Sequence, residues 1–193
     1  MPIPAENRDE WFSYEDYLSW DDDQRWELID GKAYLMAAPS PAHQRVSMAL
    51  SAEIFNYLKG KTCEVFPAPF DVRLDPECSW KAKGNVVQPD ISVVCNSEQL
   101  DERGCNGAPT LVVEILSPDN PEHDLLRKYN KYKDAGVKEY WIVNPVAGKI
   151  TICMLQENGN DFEFKKDDTL QSHTFSDLSI PLASIFPNAQ DAN

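Results

Sequence analysis

The sequence predicts an α/β fold: a mixed β-sheet flanked by helices, in a single domain over residues 1–193. Three observations carry that prediction. Short runs rich in β-branched residues recur along the chain, and two longer stretches keep apolar residues at helical spacing. The second of those stretches joins two apolar strand candidates, which calls for a crossover connection. The core is expected over about residues 14–187, with a polar tail after 187.

Taken in order, "SYEDYLSW" reads as a short helix capped by Ser13. "DDDQRWELIDGKAYLMAAPSP" reads as a hairpin turning at Asp30 and Gly31. "AHQRVSMALSAEIFNYLKGK" places Val46, Leu50, Ile54 and Leu58 on one face of an amphipathic helix that ends near Gly60. Strand candidates "CEVFPAP" and "FDVRLD" follow, then a charged loop "PECSWKAKGN", then "VVQPDISVVC" and "TLVVEILS". "NPEHDLLRKYNKYKDAG" is the second long helix, with Asn120 as cap, Pro121 at the first helical position and Gly136 at the end. "VKEYWIVNP" and "KITICMLQ" resume the strand pattern, and "DFEFKKDDTLQSHTF" is expected to supply a final strand pair.

Composition narrows the function. Hydrophobic residues make up 42%, with aromatics such as Trp26, Phe66, Tyr140, Trp141 and Phe186 spread along the chain, as a packed core requires. No apolar run approaches the ~20 residues that cross a bilayer, so the expectation is a cytoplasmic protein without a membrane partner. The five cysteines are odd in number and lack CxxC spacing, which predicts reduced thiols rather than a disulfide framework or a zinc site. Eighteen basic against 32 acidic residues give a net charge of −14. Such a chain repels polyanions on average, so contact with nucleic acid needs a metal ion or a local basic patch, with Lys81, Lys83, Arg127 and Lys131 as candidates. Neither GxGxxG, GxxxxGK[ST] nor GxSxG occurs, which removes support for nucleotide-fold and serine-hydrolase readings.

Two strand candidates carry an acid among apolar neighbours, Asp90 in "VVQPDISVVC" and Glu114 in "TLVVEILSP". Burying either as a bare carboxylate costs several kcal/mol unless cations or donors compensate it. On neighbouring strands the two side chains can converge, and paired carboxylates suit Mg²⁺ or Mn²⁺. Each acid alone reads equally well as a strand-end hydrogen bond or salt bridge. In the following helix, Leu125, Leu126, Tyr129, Tyr132 and Ala135 define an apolar face; Lys128 lies roughly 65° from its centre, Lys131 about 125°, and Arg127 nearly opposite. Lys133 lies about as close to the face as Lys128 but roughly 7.5 Å further along the axis from the strand end, so Lys128 is the cation best placed to reach it, the alternative being a stem along the core edge with its charge in water beside Asp124. Glu27 is a further acidic candidate or an exposed charge beside a hairpin, and His43 a candidate cap, phosphate contact or surface histidine.

The segments "ELIDGKAYLMAAPSPAHQRV", "QPDISVV", "LVVEILSPDNPEHDLLRKYNKYKDAGVKEYWIVNP" and "SIFP" resemble the Uma-type restriction endonuclease family of the PD-(D/E)xK nuclease superfamily, over roughly residues 14–187. The resemblance implies a restriction-endonuclease-like fold, a metal-dependent DNA endonuclease and a homodimer. It matches Pro89 and Asp90 to the PD element, Glu114 to the second acid, with Asp90 and Glu114 as metal ligands, and Lys128 to a lysine moved from the strand to the helix, since Leu116 stands where the superfamily lysine normally lies. Glu27 matches an early acidic position and His43 a recurrent histidine. A non-cleaving nucleic-acid-binding or regulatory module on the same fold is the competing expectation.

Overall fold

Local signals fix the first elements. The computed structural model describes residues 11–21, 23–117, 122–156 and 159–186, without the side chains of 122–125. Ser13 caps α1 (Tyr14–Leu18) in a reciprocal box with Asp16. β1 (Trp26–Ile29) and β2 (Lys32–Leu35) form the expected hairpin, whose two turn residues, Asp30 and Gly31, both have positive φ. α2 (Pro41–Leu58) starts one residue earlier than its apolar pattern, because Ser40 accepts the His43 N–H and Pro41 needs no partner there. Val46, Leu50, Ile54 and Leu58 are all buried.

The remaining elements are β3 (Glu64–Pro67), β4 (Val72–Arg73), β5 (Val86–Val87), β6 (Ile91–Val94), β7 (Leu100–Asp101), β8 (Gly104–Asn106), β9 (Leu111–Ile115), α3 (Glu122–Ala135), β10 (Glu139–Asn144), β11 (Lys149–Met154), β12 (Asp161–Lys165), β13 (Thr169–Gln171) and β14 (Ser179–Pro181). Two six-stranded sheets result. One runs β12-β11-β10-β9-β6-β3, and the other β2-β1-β5-β4-β8-β7. β9 and β10 are parallel and joined by α3, the expected crossover, while β6 lies antiparallel to β9. "VVQPDISVVC", read from sequence as one strand, divides between the sheets as β5 and β6. The expected final pair also divides: β12 extends the first sheet, whereas β13 pairs with β14. β7 and β8 arise in a stretch whose two- and three-residue strands leave no periodicity to read.

The first sheet is covered on both faces, which is why all of β9 is buried. On one face Leu111, Val113, Ile115 and Trp141 pack with α2 and with Leu170 and Ile180 of the small β13–β14 ribbon. On the other, Val112 and Tyr140 pack with Tyr132 of α3 and with Ile29, Val72 and Val87 of the second sheet. The second sheet therefore lies against α3, so this helix has more than one packed side. Leu126, assigned from sequence to the apolar face, is instead 64% exposed, and its removal shifts the centre of that face toward Lys128. Asn120 and Pro121, and the tail after 187, lie outside the described residues.

The cysteine expectation is overturned for one pair. Cys63 and Cys95 form a disulfide, because each sits one step beyond the β3–β6 register that sets Glu64 against Val94. Directly opposed cysteines 32 residues apart in sequence give no spacing motif. Cys78, Cys105 and Cys153 are free thiols. Among the described residues, no helix is long and apolar enough to cross a membrane.

The β7–β8 hairpin supplies a test of the second sheet. Gly104 has φ +122°, and an added Cβ would stand 2.2 Å from the Asp71 carbonyl oxygen, so backbone must move. Gly104→Ala is expected to lower stability by more than about 1 kcal/mol in urea unfolding.

Candidate active site

β1 and β9 come from different sheets, and each carries one carboxylate toward α3. Glu27 and Ile29 share one face of β1, and Glu114 shares the α3 face of β9 with Val112. Lys128 projects from α3 between them. Its Nζ donates to Glu27 Oε1 at 2.9 Å and to Glu114 Oε1 at 3.1 Å, and all three residues are buried. Tyr132, one helical turn on, donates its hydroxyl to the same Glu114 oxygen at 2.6 Å. The Gln88 backbone N–H donates to Glu27 Oε1 at 2.9 Å. The reading of Lys128 as a solvent-reaching stem thus gives way: its ammonium is the counter-charge of two buried acids.

Asp90 stands just outside β6 rather than within a strand. Pro89 has no N–H for a ladder, and the chain changes sheets between β5 and β6. One step beyond the Ile91–Val113 pair, Asp90 falls opposite Glu114. Its Oδ2 accepts the Ile115 N–H at 2.7 Å and faces His43 Nε2 at 3.1 Å. His43 comes from the first turn of α2, so the four elements β1, α2, β9 and α3 and the β5–β6 link all meet here. They border an open cleft of about 370 Å³ whose lining includes Arg25, Glu27, His43, Asp90, Glu114, Arg127 and Lys128.

Burial pushes the Glu114 carboxyl up to about 7, against the opposing pull of Lys128 and with further upward push from Asp90 and Glu27. Its protonated form is thus favoured in the fold. The contribution of this group to stability is full below its ordinary value of 4.5 and is lost as pH rises through about 7. The hydrogen bond to Asp90 raises the His43 pKa, against desolvation. Asp90 Oδ1 and Glu114 Oε2 accept no hydrogen bond among the described residues, whereas the Oδ2 and Oε1 atoms are engaged. No group of three or more His, Cys, Asp or Glu arranged to hold a metal ion occurs among those residues. The available set is two carboxylates facing an open cleft, which suits a hard cation that keeps water and substrate oxygens as ligands.

Similar known proteins can now be set beside it. The family described as "Putative restriction endonuclease" (Uma2) matches residues 14–183. The chain belongs to the Uma2 family. An uncharacterized protein of Synechocystis sp., slr1290, is 28% identical over 151 residues, covering 77% of this chain and 76% of that one. A crystal structure titled as a putative nuclease belonging to DUF820, from Anabaena variabilis, superposes with a TM-score of 0.70 at 20% identity, covering 91% of this chain and 97% of that one. That likeness shows the mixed α/β fold of this Uma2 chain.

All five residues singled out in the sequence, Glu27, His43, Asp90, Glu114 and Lys128, line the one cleft. The basic candidates scatter. Arg127 borders the cleft with its guanidinium 4.6 Å from the Tyr34 ring, not solvated opposite the core, because the β1–β2 hairpin packs on that side of α3. Lys131, also read as solvated, pairs with Asp30 at that hairpin's turn. Lys81 and Lys83 are exposed away from the cleft, Lys81 lying 3.8 Å from Glu15. Sequence reasoning passed over Arg25, which strand alternation from Glu27 would have placed on the same face.

The lysine clamp predicts a pH-dependent stability loss. Lys128→Met strands two buried carboxylates, so unfolding at pH 8 should show a loss of about 3–5 kcal/mol, shrinking at pH 5 where Glu114 takes up a proton. Adding Glu114→Gln should restore part of it. Equal losses at both pH values would mean that packing of the stem, not charge, is what Lys128 supplies.

Proposed function

We propose that this protein is a metal-dependent endonuclease hydrolysing DNA phosphodiester bonds, with Asp90 and Glu114 as ligands of Mg²⁺ or Mn²⁺ and Lys128 as the catalytic cation. The observation that carries the reading is the cleft itself. Two opposed acids each keep one carboxylate oxygen unengaged, beside a buried lysine already held by hydrogen bonds. Membership of the Uma2 family supports the reaction class.

The chain's own groups divide the work. Asp90 Oδ1 and Glu114 Oε2 would hold the cation, while the Ile115 N–H and Tyr132 hydroxyl fix the orientation of the two carboxylates through their other oxygens. A bound Mg²⁺ or Mn²⁺ supplies Lewis-acid polarisation of the scissile phosphate and a more acidic water nucleophile. Lys128 adds positive charge beside the reacting phosphate, preorganised by Glu27, whose acceptor role keeps the ammonium at the cleft floor. Hydrolysis of both DNA strands calls for two such clefts, so the same reading takes the working form to be a homodimer.

A second reading has its own support. An ammonium already shared between two carboxylates fits a module that keeps the fold and holds nucleic acid without cutting it. Plasmid incubation with Mg²⁺, Mn²⁺ or chelator separates the two. The nuclease reading expects nicking that chelator abolishes and that Asp90→Ala lowers by about 10²–10³-fold. Absence of cleavage with either metal favours the binding module.

Metal affinity should also follow the Glu114 proton. Because the cation needs the carboxylate, Mn²⁺ affinity measured by calorimetry should rise about tenfold per pH unit below about 7 and level off above it. Glu114→Gln should flatten that dependence along with weakening the site.

A further inference from the structure

The cleft is also lined by Arg25, a cation with no place in the scheme above. Arg25 precedes Glu27 by two residues, and its carbonyl accepts the Met36 N–H at 2.9 Å, extending the β1–β2 ladder by one rung. Alternation along that ladder turns Arg25 and Glu27 to the same side, and both line the cleft with Asp90 and Glu114. Its guanidinium is fixed at one corner only. Nε donates to Gln88 Oε1 at 2.8 Å, and Gln88 is held in turn by donating its Nε2 to Asp71 Oδ1 at 2.8 Å and to the Tyr17 hydroxyl at 3.2 Å. Among the described residues, Nη2 is buried without a hydrogen-bond partner.

The charge pattern sharpens this. Lys128 is paired with Glu27 and Glu114, and His43 with Asp90. Arg25 stands within 4.0 Å of no carboxylate among the described residues, in a chain with 14 more acids than bases. A half-buried guanidinium in so acidic a protein would readily find an acid if charge neutralisation were its purpose. Instead a neutral amide fixes Nε, and the guanidinium lines the cleft with Nη2 left without an acceptor. Forked N–H donors match phosphate oxygens in pairs.

We propose that Arg25 is a substrate-binding residue that grips a DNA backbone phosphate at the cleft, with Gln88 as the residue that positions it. This rests on the nucleic-acid reading of the cleft but not on cleavage. It also gives a local answer to the net charge of −14: one preorganised arginine facing the substrate, rather than a basic strip through Lys81 and Lys83.

The test uses the full chain carrying Asp90→Ala, so that binding is read without turnover. Anisotropy of a fluorescent random-sequence 30-base-pair duplex is followed in Ca²⁺ across a salt series, with and without Arg25→Gln. The expected result is at least a tenfold weaker complex for Arg25→Gln and a log–log salt slope smaller by about one. Arg25→Lys, keeping charge but losing the fork, should recover only part of the affinity, and thermal unfolding should show all three chains folded. Unchanged affinity and slope in a folded Arg25→Gln chain, or no duplex binding by the parent, overturns the proposal. The two readings fail separately. Binding that depends on Arg25 in a chain that never cleaves with Mg²⁺ or Mn²⁺ sinks the nuclease and keeps the phosphate grip. Cleavage whose KM ignores Arg25→Gln does the reverse.

Discussion

A single ammonium group settles where the second sheet can lie. Lys128 Nζ is within hydrogen-bond distance of Glu27 on one sheet and Glu114 on the other, and burial makes that arrangement all or nothing. With the lysine in place, both acids have a counter-charge; without it, two carboxylates face each other in a medium that solvates neither. The β1 strand, α3 and β9 are thus held at one relative position by charge, while Ile29, Val112 and Tyr132 hold them by apolar contact. Hydrophobic contact alone tolerates sliding. The ion pairs do not.

A third buried carboxylate shows how differently the same problem can be solved. Glu139 on β10 is fully buried and accepts from Trp141 Nε1, Ser172 Oγ and the Thr174 N–H. Neutral donors surround it, and they tie the segment after β13 to the sheet. Glu114 meets a cation, a phenol and an opening to solvent. The environment, more than the presence of an acid in a strand, is what distinguishes a site from a structural anchor.

What the sequence disclosed follows the range of the forces involved. α2, the Asp30–Gly31 hairpin and the α1 cap are governed by neighbours a few residues away, so their patterns are visible in the string. Asp90 and Glu114 were conspicuous because acids are rare among apolar strand residues. Lys128 is reached by counting around a helix, although the count uses Leu126, which faces solvent; a face drawn too wide still points to the lysine that meets Glu27 and Glu114. The Cys63–Cys95 bridge, the split of "VVQPDISVVC" between sheets and the inward turn of Arg127 all depend on registers and on a second sheet that no local window contains. Arg25 was within reach. Its two-residue offset from Glu27 needed only the assumption that Glu27 pointed inward.

The placing of Lys128 on a helix, in a different element from Glu27 and Glu114, has a consequence for how the molecule comes into being. Glu27, Asp90, Glu114 and Lys128 are drawn from more than half the length of the chain, and no two of them are brought together by a local turn. Contacts of such long sequence separation form late, after their loop-closure entropy has been met. During synthesis the first three acids emerge before the lysine does, and until the crossover docks they remain separate, hydrated charges. The complete charge constellation is therefore a property of the finished fold alone. A nascent chain that has not yet released α3 cannot display it.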